Sequence, residues 1–221
     1  MPARSAGAAA SEAPEGRATQ GESTRGEPAK SARLFFALWP TPAMQAALAL
    51  AAEPAVLEVL NAGADTAIGA SPRRVPAANY HLTLAFLGSL PTSRLADLDQ
   101  VATRFAQAAS VLAPPIDIVL DTLDHWRKPQ VLVATASDTP PAAVALGEGL
   151  QRALVDAGFT PDLKPFRVHA TIARKVRRVG RELHLAPVRW SFDSLHLVES
   201  QTHPEASAYR TVKKWVLDKR D

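Results

Sequence analysis

His81-Leu82-Thr83-Leu84 and His169-Ala170-Thr171-Ile172 are the two stretches from which the fold of this chain can be worked out. Both have the pattern His-x-Thr-x, with an apolar residue at each x. Because successive side chains of a β-strand point to opposite faces, the histidine and the threonine share one face and the apolar residues share the other. Each strand can bury its apolar side and present an imidazole and a hydroxyl. Two such strands, 88 positions apart, predict a duplicated half-site that closes into one pocket.

Paired histidines suit acid–base chemistry on a phosphodiester, since imidazole titrates near neutral pH. Opening a phosphodiester with water needs one group that takes a proton from the water and another that gives a proton to the departing oxygen. A neutral and a protonated imidazole supply both. A lone histidine in a strand is more often a hydrogen-bonded structural residue. The repeated motif favours a catalytic role for His81 and His169.

Composition limits the class of protein. The chain has 221 residues, no cysteine and a formal net charge of +3. Its length allows one sizeable domain or two small lobes, and the absence of cysteine excludes disulfides and thiolate metal sites. Seven basic residues and no acidic one lie between Lys164 and Arg181, around the second motif. This concentration of positive charge favours a polyanionic substrate over a merely solvated basic face.

Residues 1–31 differ from the rest of the chain. They contain no aromatic and no branched aliphatic side chain, so we predict a disordered N-terminal extension followed by a single domain over 32–221. They lack the apolar core of a signal peptide. Because Pro54 and Pro114-Pro115 interrupt the longest apolar windows, we expect no membrane-spanning helix and a cytoplasmic protein. We also expect a monomer without an obligate protein partner.

Apolar periodicity and turn residues predict the order of elements. Strands are expected at 33–39, 80–88, 116–123, 130–135, 168–173, 191–199 and 209–217. Helices are expected after Thr41, near Thr92 and after Thr139, with the first one broken or kinked at Pro54. Since several strands follow one another directly, the pattern indicates an α+β fold with mostly antiparallel sheets.

Four segments, two of which contain the motifs, occur in a familiar order: Arg33–Ala37, Asn79–Gly88, Phe166–Lys175 and the tail from Leu197–Ser200 through Tyr209 to Trp215. In these segments the chain resembles the bacterial RNA 2′,3′-cyclic phosphodiesterases, also called the 2′-5′ RNA ligase family, of the two-histidine phosphoesterase superfamily. The resemblance implies a bilobal α+β fold in which two mostly antiparallel sheets face a central groove, with helices outside. It also implies hydrolysis of an RNA 2′,3′-cyclic phosphate end to a 2′-phosphomonoester, without metal or cofactor.

The resemblance also implies roles for individual residues. His81 and His169 would be the catalytic pair, and Thr83 and Thr171 would hold the phosphate. Arg174, three positions after the second threonine, would be a further phosphate ligand. By analogy with the family, His81 would protonate the leaving 3′ oxygen and His169 would activate water, but the residues alone leave the order of these roles open.

Three more side chains are candidates on weaker grounds. Trp126 lies among basic residues in an expected loop, a combination suited to stacking a base beside a phosphate, although a packed hairpin tip explains it equally well. Phe35 is a candidate base platform, with core packing as the alternative. For His196 we favour a structural contact with a neighbour in the core.

The substrates compatible with these residues are RNA 3′ ends or small cyclic nucleotides. Two alternatives stay open: a phosphodiesterase of another small cyclic phosphate or a 2′-5′ linkage, including the reverse 2′-5′ ligation, and a non-catalytic RNA-binding module. A metal hydrolase is disfavoured because neither motif carries a carboxylate or a second histidine at ligand spacing. A nucleotide cofactor is not indicated, because the sequence contains no glycine-rich phosphate loop.

Overall fold

A computed structural model describes residues 30–64, 71–109, 115–180, 182–202 and 207–217. Of the segment for which disorder is expected, residues 1–29 lie outside the described residues. The described part contains, in chain order, β1 (Ser31–Leu38), α1 (Pro42–Ala64), β2 (Arg73–Arg74), β3 (Leu82–Pro91), α2 (Leu95–Ala109), β4 (Ile116–Trp126), β5 (Val131–Thr135), α3 (Pro141–Asp156), β6 (His169–Arg174), β7 (His184–Phe192), β8 (Ser194–Thr202) and β9 (Ser207–Val216).

The strands form two sheets. Sheet A has the order β3-β1-β8-β9 and sheet B the order β2-β6-β5-β4-β7, and neighbouring strands in both are antiparallel. The first motif leads into β3 at the edge of sheet A, whereas the second motif lies on β6 in sheet B. The predicted α+β class with two antiparallel sheets is confirmed, and each sheet carries one of the two motifs.

Strand β1 shows how the alternation of side chains creates two faces. Leu34, Phe36 and Leu38 are buried in the main hydrophobic core, whereas Phe35 and Ala37 belong to a separate small cluster on the other face of the strand. Because the period of a strand is two, this assignment follows directly from the sequence order. One face of sheet A therefore packs into the main hydrophobic core, and the opposite face can line a groove.

Of the break or kink expected at Pro54, the break is wrong, because α1 runs without interruption from Pro42 to Ala64; a kink stays a prediction. A proline inside a helix costs about 3 kcal/mol. Leu48 and Val56, on either side of it, are 0% and 1% exposed, and burying side chains of this size yields roughly 1.5–3 kcal/mol each. Core packing thus outweighs the local cost, and the proline ring itself lies on the exposed side.

Pro54 does not interrupt α1, so the reason for expecting no membrane-spanning helix does not hold here. By length and composition alone, this helix could cross a membrane. In the fold it packs against sheet B, where the Nε1–H of Trp190 donates to the carbonyl oxygen of Met44 at 3.0 Å. Its buried residues belong to the hydrophobic core. One side of α1 therefore packs into the core, and 33% of its apolar window is buried.

Two strand boundaries also differ from expectation. The single strand expected over 191–199 is the end of β7 and the start of β8, separated at Asp193, whose carbonyl accepts a hydrogen bond from the amide of Leu217 at 2.7 Å. Strand β4 extends to Trp126, so this tryptophan lies at a strand end instead of in a loop. The turn that follows is tight and ends at Gln130, which has a φ of 54°.

Candidate active site

A groove of about 810 Å³ lies between the two sheets. It is lined by all seven residues that the sequence analysis placed in a site. Phe35, His81 and Thr83 come from sheet A or its edge, and the others come from sheet B: Trp126, His169, Thr171 and Arg174. The structure therefore brings the two motifs, far apart in the chain, to opposite walls of one groove.

The apolar positions of both motifs are buried, as alternation predicts. Leu82 is 0% and Leu84 is 2% exposed, and both Ala170 and Ile172 are 0% exposed. The histidine and threonine of each motif are only partly buried and line the groove. The small Ala170 faces the core, where its size affects packing and not the groove.

The backbone orients both imidazoles in the same way. The Nδ1 atom of His81 lies 2.7 Å from the carbonyl oxygen of Asn79, and that of His169 lies 2.8 Å from the carbonyl oxygen of Arg167. In each case the carbonyl belongs to the residue two positions earlier. A neutral imidazole bonded in this way donates its Nδ1–H and keeps Nε2 as a free acceptor. Both rings are thus held in the tautomer that a general base requires.

Aromatic rings surround His81. The indole of Trp39 stacks on it with ring centroids 5.2 Å apart and planes at 4°, Phe35 lies at 5.0 Å, and Tyr209 meets it edge-on at 5.2 Å. Trp39 and Tyr209 were not identified as site residues from the sequence. Trp39 follows Phe35 by four positions and comes directly after the end of β1, so continuing the alternation of β1 by one residue would have placed the two on one face. No comparable local signal pointed to Tyr209.

His169 has a different neighbourhood. Its ring centroid is 4.6 Å from that of Trp126, over which the guanidinium of Arg167 lies at 5.3 Å. Arg167 is also ion-paired to Asp124 at 2.7 Å. Trp126 therefore packs against a neighbour, as the second interpretation expected, and it also lines the groove; its stacking on a base stays a prediction. Its buried Nε1–H has no hydrogen-bond partner among the described residues.

Positive charge is concentrated in the groove. Among the described residues that line it, none is acidic and five are basic: Arg33, Arg73, Lys128, Lys164 and Arg174. Arg73 and Arg174 are direct neighbours across β2 and β6. Arg73 was not identified as a site residue from the sequence, because only the pairing of these two strands brings it beside Arg174. Such a surface attracts an anionic ligand.

Burial determines the proton affinity of both imidazoles. It lowers the pKa of His81 to about 4, although the hydrogen bond to the Asn79 carbonyl acts in the opposite direction. Burial also lowers the pKa of His169, and the positive charges of Arg167 and Arg174 add to this effect. At neutral pH both rings are therefore neutral without a ligand. A bound anion between them would favour the return of a proton to one ring.

Other histidines lie outside this groove. The Nε2 atom of His125 is 2.8 Å from the carbonyl oxygen of Val176, and that of His196 is 3.3 Å from the hydroxyl of Ser194. His196 lines a separate cavity of about 350 Å³. Within the described ranges, no cluster of three or more histidine, aspartate or glutamate side chains is placed to hold a metal ion.

The chain matches a family model and curated proteins. The model of the 2′-5′ RNA ligase superfamily matches residues 64–204. The RNA 2′,3′-cyclic phosphodiesterase of Escherichia coli (strain K12) is 26% identical over 149 residues, which are 66% of this chain and 80% of that protein. The protein of the same name from Bacillus subtilis (strain 168) is 28% identical over 140 residues, 58% of this chain and 74% of that protein.

Solved structures agree on the fold. Apo LigT of Escherichia coli has a TM-score of 0.70 at 23% identity, covering 86% of this chain and 99% of that one. A protein of Thermus thermophilus has a TM-score of 0.66 at 26% identity, covering 84% of this chain and 97% of that one. These likenesses show the fold, and the family match, which extends over both motif strands, confirms the family predicted from the sequence. The chain belongs to the 2′-5′ RNA ligase superfamily.

Proposed function

We propose that this protein hydrolyses the 2′,3′-cyclic phosphate at RNA 3′ ends to a 2′-phosphomonoester, without a metal ion. The observation that carries the proposal is the matched pair His81 and His169, each held by a backbone carbonyl and both lining one groove. The relatives from Escherichia coli and Bacillus subtilis, which carry the name RNA 2′,3′-cyclic phosphodiesterase, support the same reaction class.

In this proposal the cyclic phosphate lies between the two motif strands. Its non-bridging oxygens accept hydrogen bonds from the hydroxyls of Thr83 and Thr171 and from the guanidinium of Arg174, all of which line the groove. Negative charge grows on these oxygens as water attacks phosphorus. Donors that are already in place stabilise that charge without reorganising, and a charged donor such as arginine does so most strongly.

The two imidazoles move the protons. Nε2 of His169 takes a proton from water as its oxygen bonds to phosphorus, the bond from phosphorus to the 3′ oxygen breaks, and His81 gives its proton to that oxygen. The product is a 2′-phosphate with a free 3′ hydroxyl. His81 must be protonated in the complex, although burial lowers its pKa to about 4 in the free protein. The phosphate charge and the stacked face of Trp39 both favour the imidazolium form.

The deciding experiment is incubation of the purified full-length chain, in EDTA, with a short RNA that ends in a 2′,3′-cyclic phosphate. The product is identified by mass spectrometry and by chromatography against synthetic 2′- and 3′-phosphate standards. We expect gain of one water and only the 2′-phosphate.

Each other result would contradict a distinct part of the proposal. A 3′-phosphate would mean that the 2′ oxygen leaves. Activity only after addition of a divalent metal would contradict the metal-free mechanism. Binding of the RNA without any turnover would favour the RNA-binding module, and turnover of a different small cyclic phosphate alone would change the substrate class. Monomeric state and cytoplasmic location remain expectations that size-exclusion chromatography and cell fractionation can check.

A further inference from the structure

The groove carries more positive charge and more space than one cyclic phosphate needs. A cyclic phosphodiester has a single negative charge, whereas five basic side chains line the groove and none of its described lining residues is acidic. Its volume of about 810 Å³ is near the upper end of the range for small-molecule sites. Both observations point to a ligand with at least one more phosphate than the reacting one.

Arg33 is placed away from the reacting groups. It lies on the same face of β1 as Phe35, two positions earlier in the strand, and Phe35 is one of the residues that contact His81. A strand rises about 3.3 Å per residue, so Arg33 begins roughly 7 Å farther along the groove than Phe35. Arg174, in contrast, belongs to the second motif strand itself.

The Arg33 guanidinium is oriented but its charge is not neutralised. It lies 4.7 Å above the ring of Phe86, which also lines the groove. None of the ion pairs between described residues includes Arg33. Lys164, another basic residue of the groove, pairs with Asp162 at 2.6 Å. Stacking on an aromatic ring fixes the planar fork of an arginine, which suits it to a phosphate.

We propose that Arg33 binds the internucleotide phosphate on the 5′ side of the terminal nucleoside, so that the groove selects an RNA end over an isolated cyclic nucleotide. This inference rests on the proposed function and specifies its substrate. The cyclic phosphate lies between the histidines, the terminal nucleoside fills the middle of the groove, and the next phosphate along the strand meets Arg33 at its far end.

The test compares three substrates with the same terminal nucleoside 2′,3′-cyclic phosphate: the mononucleotide with a free 5′ hydroxyl, the dinucleotide, and the dinucleotide with an uncharged methylphosphonate linkage. We expect the wild-type protein to have a kcat/KM roughly tenfold higher for the charged dinucleotide, the size of one charge-assisted hydrogen bond. The methylphosphonate should lose this preference. So should Arg33→Met, which keeps an apolar cover over Phe86 but removes the charge.

Arg189→Met is the matched control, because Arg189 is an exposed arginine of β7 that pairs with Asp117 and does not line the groove. It should keep the preference. Equal wild-type rates on all three substrates, or an unchanged preference in Arg33→Met, would overturn the subsite while leaving the proposed function in place. Failure of the wild-type protein to convert even the mononucleotide and the charged dinucleotide would overturn the proposed function and the subsite with it.

Discussion

The two halves of the groove, one built around His81 and the other around His169, share their backbone plan. Each histidine bonds through Nδ1 to the carbonyl two residues before it, at 2.7 and 2.8 Å. Each is followed two positions later by a groove-lining threonine, with buried apolar side chains on the opposite face. The short motif determines all of these features, because they depend only on the alternation of a strand and on the preceding backbone.

What surrounds each ring differs. Among the described residues, three aromatic rings lie around His81, whereas one, Trp126, contacts His169. Burial is the largest cause of the lowered pKa of both rings, and positive charge adds to it for both: His169 and Arg174 act on His81, and Arg167 and Arg174 act on His169. Aromatic faces stabilise a cationic imidazolium and neighbouring cations destabilise it. The difference shows that the motif places the rings and that residues outside the motif set their proton affinity. In the proposed mechanism, the stacked face of Trp39 and the bound phosphate together hold the proton on His81.

The largest effect is expected when either half-site loses its imidazole. His81→Gln and His169→Gln should each lower kcat by about 10²- to 10⁴-fold, since each removes one proton-transfer group. The double variant should be little worse than the poorer single one, because the two groups act as a unit. Single-turnover hydrolysis of the cyclic-phosphate RNA measures this, with circular dichroism to verify folding.

His196→Gln serves as the control for these variants, because His196 lies outside the groove and contacts Ser194. It should keep the wild-type rate. A folded His81→Gln or His169→Gln protein that turns over at a near wild-type rate would show that the corresponding half-site only binds. One half-site would then carry out catalysis, and the other would only bind the substrate.

A smaller effect should separate the aromatic neighbours. Trp39→Leu removes the ring stacked on His81 and should lower kcat by roughly 2- to 10-fold, the value of an aromatic pair, with a change in its pH profile. Trp39→Phe keeps a ring face and should restore most of the rate. Trp126→Leu should instead raise KM for RNA, because Trp126 offers a surface on which a base can stack.

Steady-state kinetics of these three variants over a range of pH, on RNA and on a cyclic mononucleotide, gives the comparison. If Trp39→Leu and Trp126→Leu changed kcat, KM and the pH profile alike, the two tryptophans would have the same role. The unlike surroundings of the two histidines would then have no consequence for the chemistry.

The sequence predicted the motif residues well and their neighbours poorly, for a physical reason. His81, Thr83, His169 and Thr171 are set by a period of two within one strand. Tyr209 and Arg73 reach the site only because of the strand orders β3-β1-β8-β9 and β2-β6-β5-β4-β7, and strand order depends on contacts between distant segments. Trp39 was overlooked although it continues the alternation of Phe35.

The fold shows the same distinction between local pattern and long-range contacts. The α+β class and most strands could be predicted from local pattern. The error at Pro54 arose where core packing on both sides of the residue overrides local propensity, and the missed start of β7 at His184 arose where pairing with Thr122 forms an edge of sheet B. Long-range packing, which the sequence pattern does not contain, decided each of these positions.

The smallest effect concerns stability against pH. Folding lowers the pKa values of His81 and His196 to about 4 from an ordinary value of 6.5, and it lowers that of His169 as well. The unfolded chain therefore binds protons more readily. The free energy of unfolding has its full contribution from these histidines above about pH 6.5 and falls as the pH drops toward 4.

Urea unfolding at a series of pH values measures this slope of the free energy of unfolding against pH. His81→Gln should reduce the slope more than His169→Gln, because burial lowers the pKa of His81 as far as about 4. A flat profile between neutral pH and about pH 5 would mean that the folded protein accepts these protons as readily as water-exposed imidazoles do, and the argument for a neutral pair in the free enzyme would fail.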